Sequence, residues 1–384
     1  MEVYLDNAAT TIVYEPVKEI MLKTMTQDYG NPSSLHMKGV EAEKYVKTAR
    51  EIIAAELKCK DKEIVFTSGG TESNNMAIIG TVMANKRRGN HIITTQIEHP
   101  SVAMPVKYLE EQGFRVTRLG VDEHGVISLK ELEESICDET ILVSVMYVNN
   151  EVGSIQPIDE IAEIIQKKNP DIRFHVDAIQ AFGKIRIYPK RQNIDLLSVS
   201  GHKIHGPKGT GFLYIREKVN VNPIIFGGGQ QKNMRSGTEN VPGIAGMGEA
   251  VKILYKDFDK KIENLRELKD YFIDEVSKIE GATVNSRKGK SAAPHIVSVS
   301  FDGIKSEVML HSLEDKKIYV SAGSACSSNK QSVSATLKAM GLPAENLDST
   351  VRFSFSPDTG KEELDYTLNE LKNIVPMLRK YVHM

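Results

Sequence analysis

Short runs of apolar and β-branched residues alternate with stretches whose apolar positions recur every three or four residues. The runs at Glu63 to Thr67, His91 to Thr94, Arg115 to Leu119, Ile141 to Val145, Phe174 to Val176 and Leu196 to Val199 read as strands. Helices fall between them, and this alternation predicts an α/β fold with a largely parallel core sheet. From Pro242 to about Ile279 a long charged helical stretch changes the rhythm and marks a candidate domain boundary. Beyond it, HIVSVSF, KIYVSAG, TVRFSFS and a final helix from about Lys361 describe a smaller α+β unit.

A length of 384 residues is ample for a large core and suggests two or three domains. With 49 basic against 51 acidic side chains, no whole-protein field marks a nucleic-acid or membrane surface. Three widely spaced cysteines, Cys59, Cys137 and Cys326, form no metal pair and no disulfide framework, which favours a reducing compartment. MEVYLDNAATT has no basic region leading into an apolar run, and no apolar window approaches the ~20 residues that span a bilayer. The expectation is a soluble, cytoplasmic protein without direct nucleic-acid contact.

The chemistry gathers around DLLSVSGHKIHGPKGTG. Lys203 sits just past the strand ending at Ser200-Gly201, and ligands of open α/β sheets collect beyond the carboxyl ends of strands. Ser200, His202 and His205 offer polar groups beside it, and several glycines allow close backbone approach. A lysine so placed is a candidate for imine formation with pyridoxal phosphate. That cofactor needs a negative charge against its ring nitrogen, and Asp177, ending the run Ile172 to Asp177, could supply it, although a strand-end Asp can also cap a helix. Phosphate binding has a candidate in IVFTSGGTESNN, where a strand and a Gly-Gly turn lead into a helix whose first-turn N–H groups favour an anion. Ordinary capping by Thr71 is the other reading of that stretch.

HVDAIQAFGK followed by DLLSVSGHKIHGPKGTGFLYIR strongly resembles the pyridoxal-phosphate segment of cysteine desulfurases, the NifS/IscS-like branch of the class V aminotransferases. YLDNAATT, YGNPSS, FTSGGTESNN, EHPSV, NNEVGSIQP, RSGTENV and SAGSAC carry the resemblance along nearly the whole chain. It implies fold type I of the pyridoxal enzymes: a large domain, 13–258, with a mainly parallel mixed sheet flanked by helices, and a small domain, 259–384 with 1–12, carrying a cysteine loop at 321–334. By resemblance Gly70, Thr71, Ser200 and His202 hold the cofactor phosphate, and Thr238 reaches the phosphate of a neighbouring subunit in a homodimer. His99 stacks on the pyridine face and passes protons, Asp177 faces the ring nitrogen, and Gln180 bonds the phenolic oxygen.

Cys59 and Cys137 lie at helix ends and have plain packing explanations. Cys326 lies in a small, polar, glycine-containing stretch with no apolar periodicity, which suits a nucleophile that must reach a substrate and then a partner. Arg352 alternates with Val351 and Phe353 in a strand-like segment, where an exposed edge-strand arginine is one reading; the match to RFS in the family implies instead that its guanidinium clamps the substrate α-carboxylate, with Asn149 and Asn31 as supporting donors. The expected reaction takes sulfur from L-cysteine: Lys203 serves as base at Cα, Cys326 takes the sulfur as a persulfide, alanine leaves, and an acceptor protein receives the sulfur for iron–sulfur assembly or tRNA thiolation. Departures from the family pattern at SSNKQSVSAT and Phe355-Ser356-Pro357, and an end at Met384 without the tail some members use near their scaffold partner, leave the acceptor open. A selenocysteine lyase, another class V enzyme, or a non-catalytic sulfur-relay subunit are the alternatives, and no metal site is expected.

Overall fold

The computed structural model describes residues 1–322 and 334–382, and for Tyr381 and Val382 the backbone alone. The chain opens with β1 (Val3–Tyr4), α1 (Glu15–Thr26) and α2 (Met37–Leu57). It then alternates: β2 (Ile64–Thr67), α3 (Gly70–Asn85), β3 (His91–Thr95), α4 (Pro100–Glu111), β4 (Arg115–Leu119), α5 (Leu129–Ser135), β5 (Thr140–Met146), α6 (Ile158–Lys168), β6 (Arg173–Asp177), β7 (Leu196–Ser200) and β8 (Gly211–Ile215). Next come α7 (Val241–Tyr255), α8 (Phe258–Val276), β9 (Ala282–Val284), β10 (Ile296–Phe301) and α9 (Ser306–Glu314). The chain closes with β11 (Ile318–Tyr319), β12 (Ser321–Ala322), α10 (Ala335–Ala339), α11 (Ala344–Leu347), β13 (Thr350–Ser354) and α12 (Lys361–Val382).

Seven strands form the large sheet in the order β2-β8-β7-β6-β5-β3-β4, with β8 antiparallel to both neighbours and the rest parallel. Both faces of the sheet are covered, as its near-continuous apolar strands require. Successive side chains of a strand point to opposite faces, and the core divides accordingly. Phe66, Ile93, Val143 and Leu197 join one cluster with α2, α6 and α7. Their neighbours Ile92 and Leu142 pack with α3 and α4, and Val65 and Leu196 with Met76 and Ala77 of α3.

The stretch Pro242 to Ile279 forms two helices rather than one. Asp257 takes a left-handed φ of 54° between α7 and α8, and Tyr255 stacks on Phe258 across the break with ring centroids 4.9 Å apart. The two helices differ in kind: α7 is buried nearly all round, whereas α8 buries one apolar face, including Leu265, Phe272 and Val276. That face joins a second core beneath the antiparallel sheet β12-β13-β10-β9, to which Val3 and Leu5 also belong. Parallel pairing of β1 with β11 brings the N-terminal segment there. Among the described residues no helix is long and apolar enough to cross a membrane.

Candidate active site

Parallel strands β6 and β7 lie side by side, with Asp177 opposite Ser198. Their carboxyl ends deliver Asp177 and, through a single 3-10 turn at Gly201–Lys203, the amine of Lys203 to one cavity of about 660 Å3. Lys203 Nζ donates to the carbonyls of Ala8 (2.6 Å) and Ala9 (2.7 Å), so the N-terminal segment crosses directly beside it. Asp177 Oδ1 accepts from the Ile179 N–H at 2.9 Å and Oδ2 from Asn74 Nδ2 at 2.8 Å. Burial pushes this carboxyl up, against the pull of those two donors and of His99 and Lys203. A cationic ring N–H in the cavity would offset the cost of keeping a charge in so dry a place. The carboxyl therefore suits a pyridinium nitrogen.

His99 also lines the cavity and caps α4, its Nδ1 accepting from the Ser101 N–H at 3.1 Å. Acceptance at Nδ1 leaves the proton of the neutral ring on Nε2. Burial lowers the basicity of this imidazole, with Asp177 opposing and Lys203 adding to the effect.

At the other end of the cavity stand Gly70, Thr71, Ser200 and His202. The N-cap position of α3 belongs to Gly69, at φ 148°, with no side-chain cap, so Thr71 is not the capping residue that one reading of the sequence made it. A Cβ at the neighbouring Gly211 would come within 2.7 Å of the Gly69 Cα, and this close approach holds the turn against β8. The first-turn N–H groups of α3 carry the positive end of the helix dipole to the cavity wall, a setting for a phosphate. His202 meets the Thr10 hydroxyl at 3.3 Å, and burial, with Lys203 and Lys208, pushes its ring down to about 4. It therefore offers a neutral ring. Amine, buried carboxyl and anion-binding turn thus fit the three parts of pyridoxal phosphate. His205 does not share the cavity lining; it takes φ 60° and stacks on Tyr14 with centroids 4.2 Å apart.

Arg352 is no edge residue. It lies on β13 between β12 and β10, 6% exposed, with Nη1 on the Asn150 carbonyl and Nη2 on Asp6 Oδ1, both at 2.8 Å. Asn149 lies behind the wall, with Nδ2 toward Thr336 Oγ1 (3.2 Å) and the Ile97 carbonyl (3.3 Å), and Oδ1 accepting the N–H groups of Glu151 and Val152. Its amide holds the loop that presents Asn150. Asn31 and Thr238 are exposed and away from the cavity lining; Asn31 Oδ1 accepts the Ser33 N–H. Gln180 reaches the lining, with Nε2 on the Ala8 carbonyl at 2.9 Å. Cys326 lies outside the described residues. Those on either side are close to the site: Ser321 pairs with Arg352 in the sheet, and Ser334 and Thr336 line the cavity.

Three acids escaped the reading of the sequence. Asp6 holds Arg352 from the far end of the chain, and burial pushes its carboxyl up while Arg352 opposes. Glu98 is 9% exposed, with Oε1 accepting from Thr95 Oγ1 and the Met146 N–H at 2.8 Å each, and its Oε2 has no hydrogen-bond partner among the described residues. Burial pushes it up to about 8. Glu151, also raised by burial, accepts from Ser334 on the cavity wall. The motifs YLDNAATT, EHPSV and NNEVGSIQP held these residues, and an acid inside an otherwise apolar or small-residue motif was the available signal.

The aminotransferase class-V family profile matches residues 3–367. A cysteine desulfurase IscS from Dictyoglomus turgidum is 44% identical over 379 residues, covering 98% of this chain and 95% of that one. A cysteine desulfurase IscS from Methanosarcina thermophila is 44% identical over 377 residues, covering 98% and 93%. Among solved structures, a NifS-like protein superposes with a TM-score of 0.93 at 38% identity, covering 98% of this chain and 100% of that one. A structure titled SspA in complex with cysteine gives 0.81 at 36%, covering 93% and 99%. With a large, mainly parallel mixed sheet, a lysine and a buried carboxyl at one cavity, and these likenesses along its length, the chain belongs to the class-V aminotransferases, which work with pyridoxal phosphate.

Proposed function

We propose that this protein is a cysteine desulfurase, removing sulfur from L-cysteine with pyridoxal phosphate to give L-alanine and a persulfide on Cys326. One observation carries the reading: the Lys203 amine and the Asp177 carboxyl, delivered by adjacent parallel strands, line the same cavity. Relatives at 44% identity that are named cysteine desulfurases supply the substrate class.

When bound, the cofactor supplies a cationic conjugated ring that draws electrons from Cα of an amino acid. Lys203 would hold it through its amine, Gly70, Thr71, Ser200 and His202 would take its phosphate, and Asp177 would keep its ring nitrogen protonated. The Lys203 amine would be the base that lifts the Cα proton. His99, a neutral ring beside it, can give or take a proton at the same place. Arg352 binds the α-carboxylate; its Nε is buried without a partner among the described residues, so the guanidinium has a donor in reserve. The Cys326 thiolate attacks the substrate sulfur: an S–S bond forms, the Cβ–S bond breaks with its electron pair protonated at Cβ, and the proton lifted by Lys203 returns to Cα to complete alanine. The persulfide then passes to an acceptor protein serving iron–sulfur assembly or tRNA thiolation, in the reducing cytoplasm that free thiols suit.

In this reading the chain divides into a large unit, 13–258, and a small one, 259–384 with 1–12, and the substrate would lie between Arg352 of the small unit and Lys203 of the large. A homodimer fits the exposed apolar side chains Leu22, Met25, Tyr29, Met37 and Phe226, and would let exposed Thr238 reach a second copy's phosphate site. The test adds L-cysteine to the pyridoxal-phosphate-loaded protein and measures alanine, sulfide and persulfide on Cys326. Alanine equal to transferred sulfur, with no keto acid required and no yellow band in Lys203→Ala, is the expected result. Turnover that requires a keto acid, or alanine without sulfur on Cys326, overturns the reading.

A further inference from the structure

His295 lies in the turn just before β10 and is 2% exposed, on the far side of Gln180 from the N-terminal segment that Gln180 holds. Its Nε2 lies 3.3 Å from Gln180 Oε1, and Gln180 Nε2 lies 2.9 Å from the Ala8 carbonyl, which also accepts Lys203 Nζ. The orientations follow from what each group can do. A carbonyl only accepts, so the Gln180 nitrogen must face Ala8 and its oxygen must face His295. That oxygen also only accepts, so the proton sits on His295 Nε2. Nδ1 of the same ring is buried with no hydrogen-bond partner among the described residues. Lys184, Lys269, Arg352 and Lys203 act on the ring electrostatically, all in one direction, so a second proton on Nδ1 would be buried and opposed by basic groups. The ring is therefore neutral, which the lowering of its basicity by burial and these four cations repeats.

We propose that His295 is a positioning residue for the reaction: as a neutral Nε2–H tautomer it joins the Ala8 carbonyl in locking the Gln180 amide, so that the remaining hydrogen of Gln180 Nε2, and not its oxygen, is offered to the cofactor cavity. The proposal rests on the reading of that cavity as a pyridoxal-phosphate site. There the ring's phenolic oxygen is the acceptor such a donor serves. An inverted amide would present oxygen to oxygen, and the small unit, through the turn before β10, thereby sets the polarity of a group in the large unit's cavity.

The test follows the pH midpoint of the yellow band in pyridoxal-phosphate-loaded protein. A phenolic oxygen that already accepts a hydrogen bond holds the shared chromophore proton less tightly, so removing the donor raises the midpoint. His295→Leu should raise it by about half a pH unit or more, the size of one neutral hydrogen bond. Gln180→Leu should do the same, the double variant should go no further than either, and His295→Gln should restore the original midpoint. An unchanged midpoint in His295→Leu with the cofactor bound, or shifts that add in the double variant, would overturn the proposal. Nitrogen NMR of the imidazole in cofactor-free wild-type protein supplies a readout that needs no variant. Nε2–H with bare Nδ1 between pH 6 and 8 is expected, and imidazolium or Nδ1–H refutes it. Wild-type protein that takes up no pyridoxal phosphate would instead sink the reading of the cavity, while the NMR result still reports on the tautomer.

Discussion

Replacing Glu98 by Gln tests how dry the floor of the site is. The carboxyl is buried, one oxygen holds Thr95 and the Met146 N–H, and the other has no partner among the described residues. Burial raises it from its ordinary 4.5 to about 8. Because the folded value lies above the unfolded one, the native chain keeps a proton that the unfolded chain gives up. The stability this proton brings is complete below pH 4.5 and is lost as the pH rises toward 8. Gln is the shape of the protonated acid, keeps an oxygen for Thr95 and Met146, and does not titrate. Between pH 5 and pH 7.5 the wild-type protein should therefore lose roughly 3 kcal/mol of stability relative to Glu98→Gln, at about 1.4 kcal/mol per pH unit. Urea denaturation of the two cofactor-free proteins at a series of pH values measures it, and taking the difference cancels the unaltered titrating groups. Parallel stability curves would show an ionised, solvated Glu98 and refute the reasoning.

Arg352→Lys keeps the charge but loses the fork that holds Asn150 and Asp6, so KM for L-cysteine should rise on the order of tenfold to a hundredfold with a smaller change in kcat; steady-state kinetics decide. Asp177→Asn removes the anion beside the ring, and the rate of Cα–H exchange from L-cysteine in deuterated water should drop by about a hundredfold or more, whereas a rate within a factor of a few would place the ring nitrogen elsewhere. Phe353 is fully buried against Phe272, ring centroids 5.0 Å apart, and Phe353→Ala should cost about 3–5 kcal/mol in urea denaturation. Burial pushes the Cys59 thiol up to about 12; burial also raises Cys137, but bonds from Thr140, the Glu139 N–H and Arg115 bring it below its ordinary value. In a Cys326→Ala background at neutral pH, a thiol reagent followed by mass spectrometry should therefore label Cys137 well before Cys59.

Periodicity alone was enough for the strand and helix alternation, because each side chain of a strand or helix has its face assigned by its place in the repeat. Six apolar runs read from the pattern match β2 to β7 to within a residue or so at each end. The break at Asp257 was not readable, since helix-forming residues continue across it and the turn depends on how Tyr255 and Phe258 pack. Lys203, Asp177, His99 and the Gly69-Gly70 turn were likewise visible, each following a recognisable strand, and chain order tells which strand ends carry polar groups.

Which of those groups face one another, and with what polarity, was decided only by the tertiary structure. Asp6 and Arg352 meet across 346 positions of sequence, and Asn149 bonds both its own loop and the distant Thr336. No local pattern records such pairings, because they arise when parallel strand order and a second sheet bring distant segments into one dry space. In that space every hydrogen-bond donor and acceptor must find a complement, and it is this requirement, acting on Gln180, His295 and the Ala8 carbonyl together, that decides what each can offer a ligand.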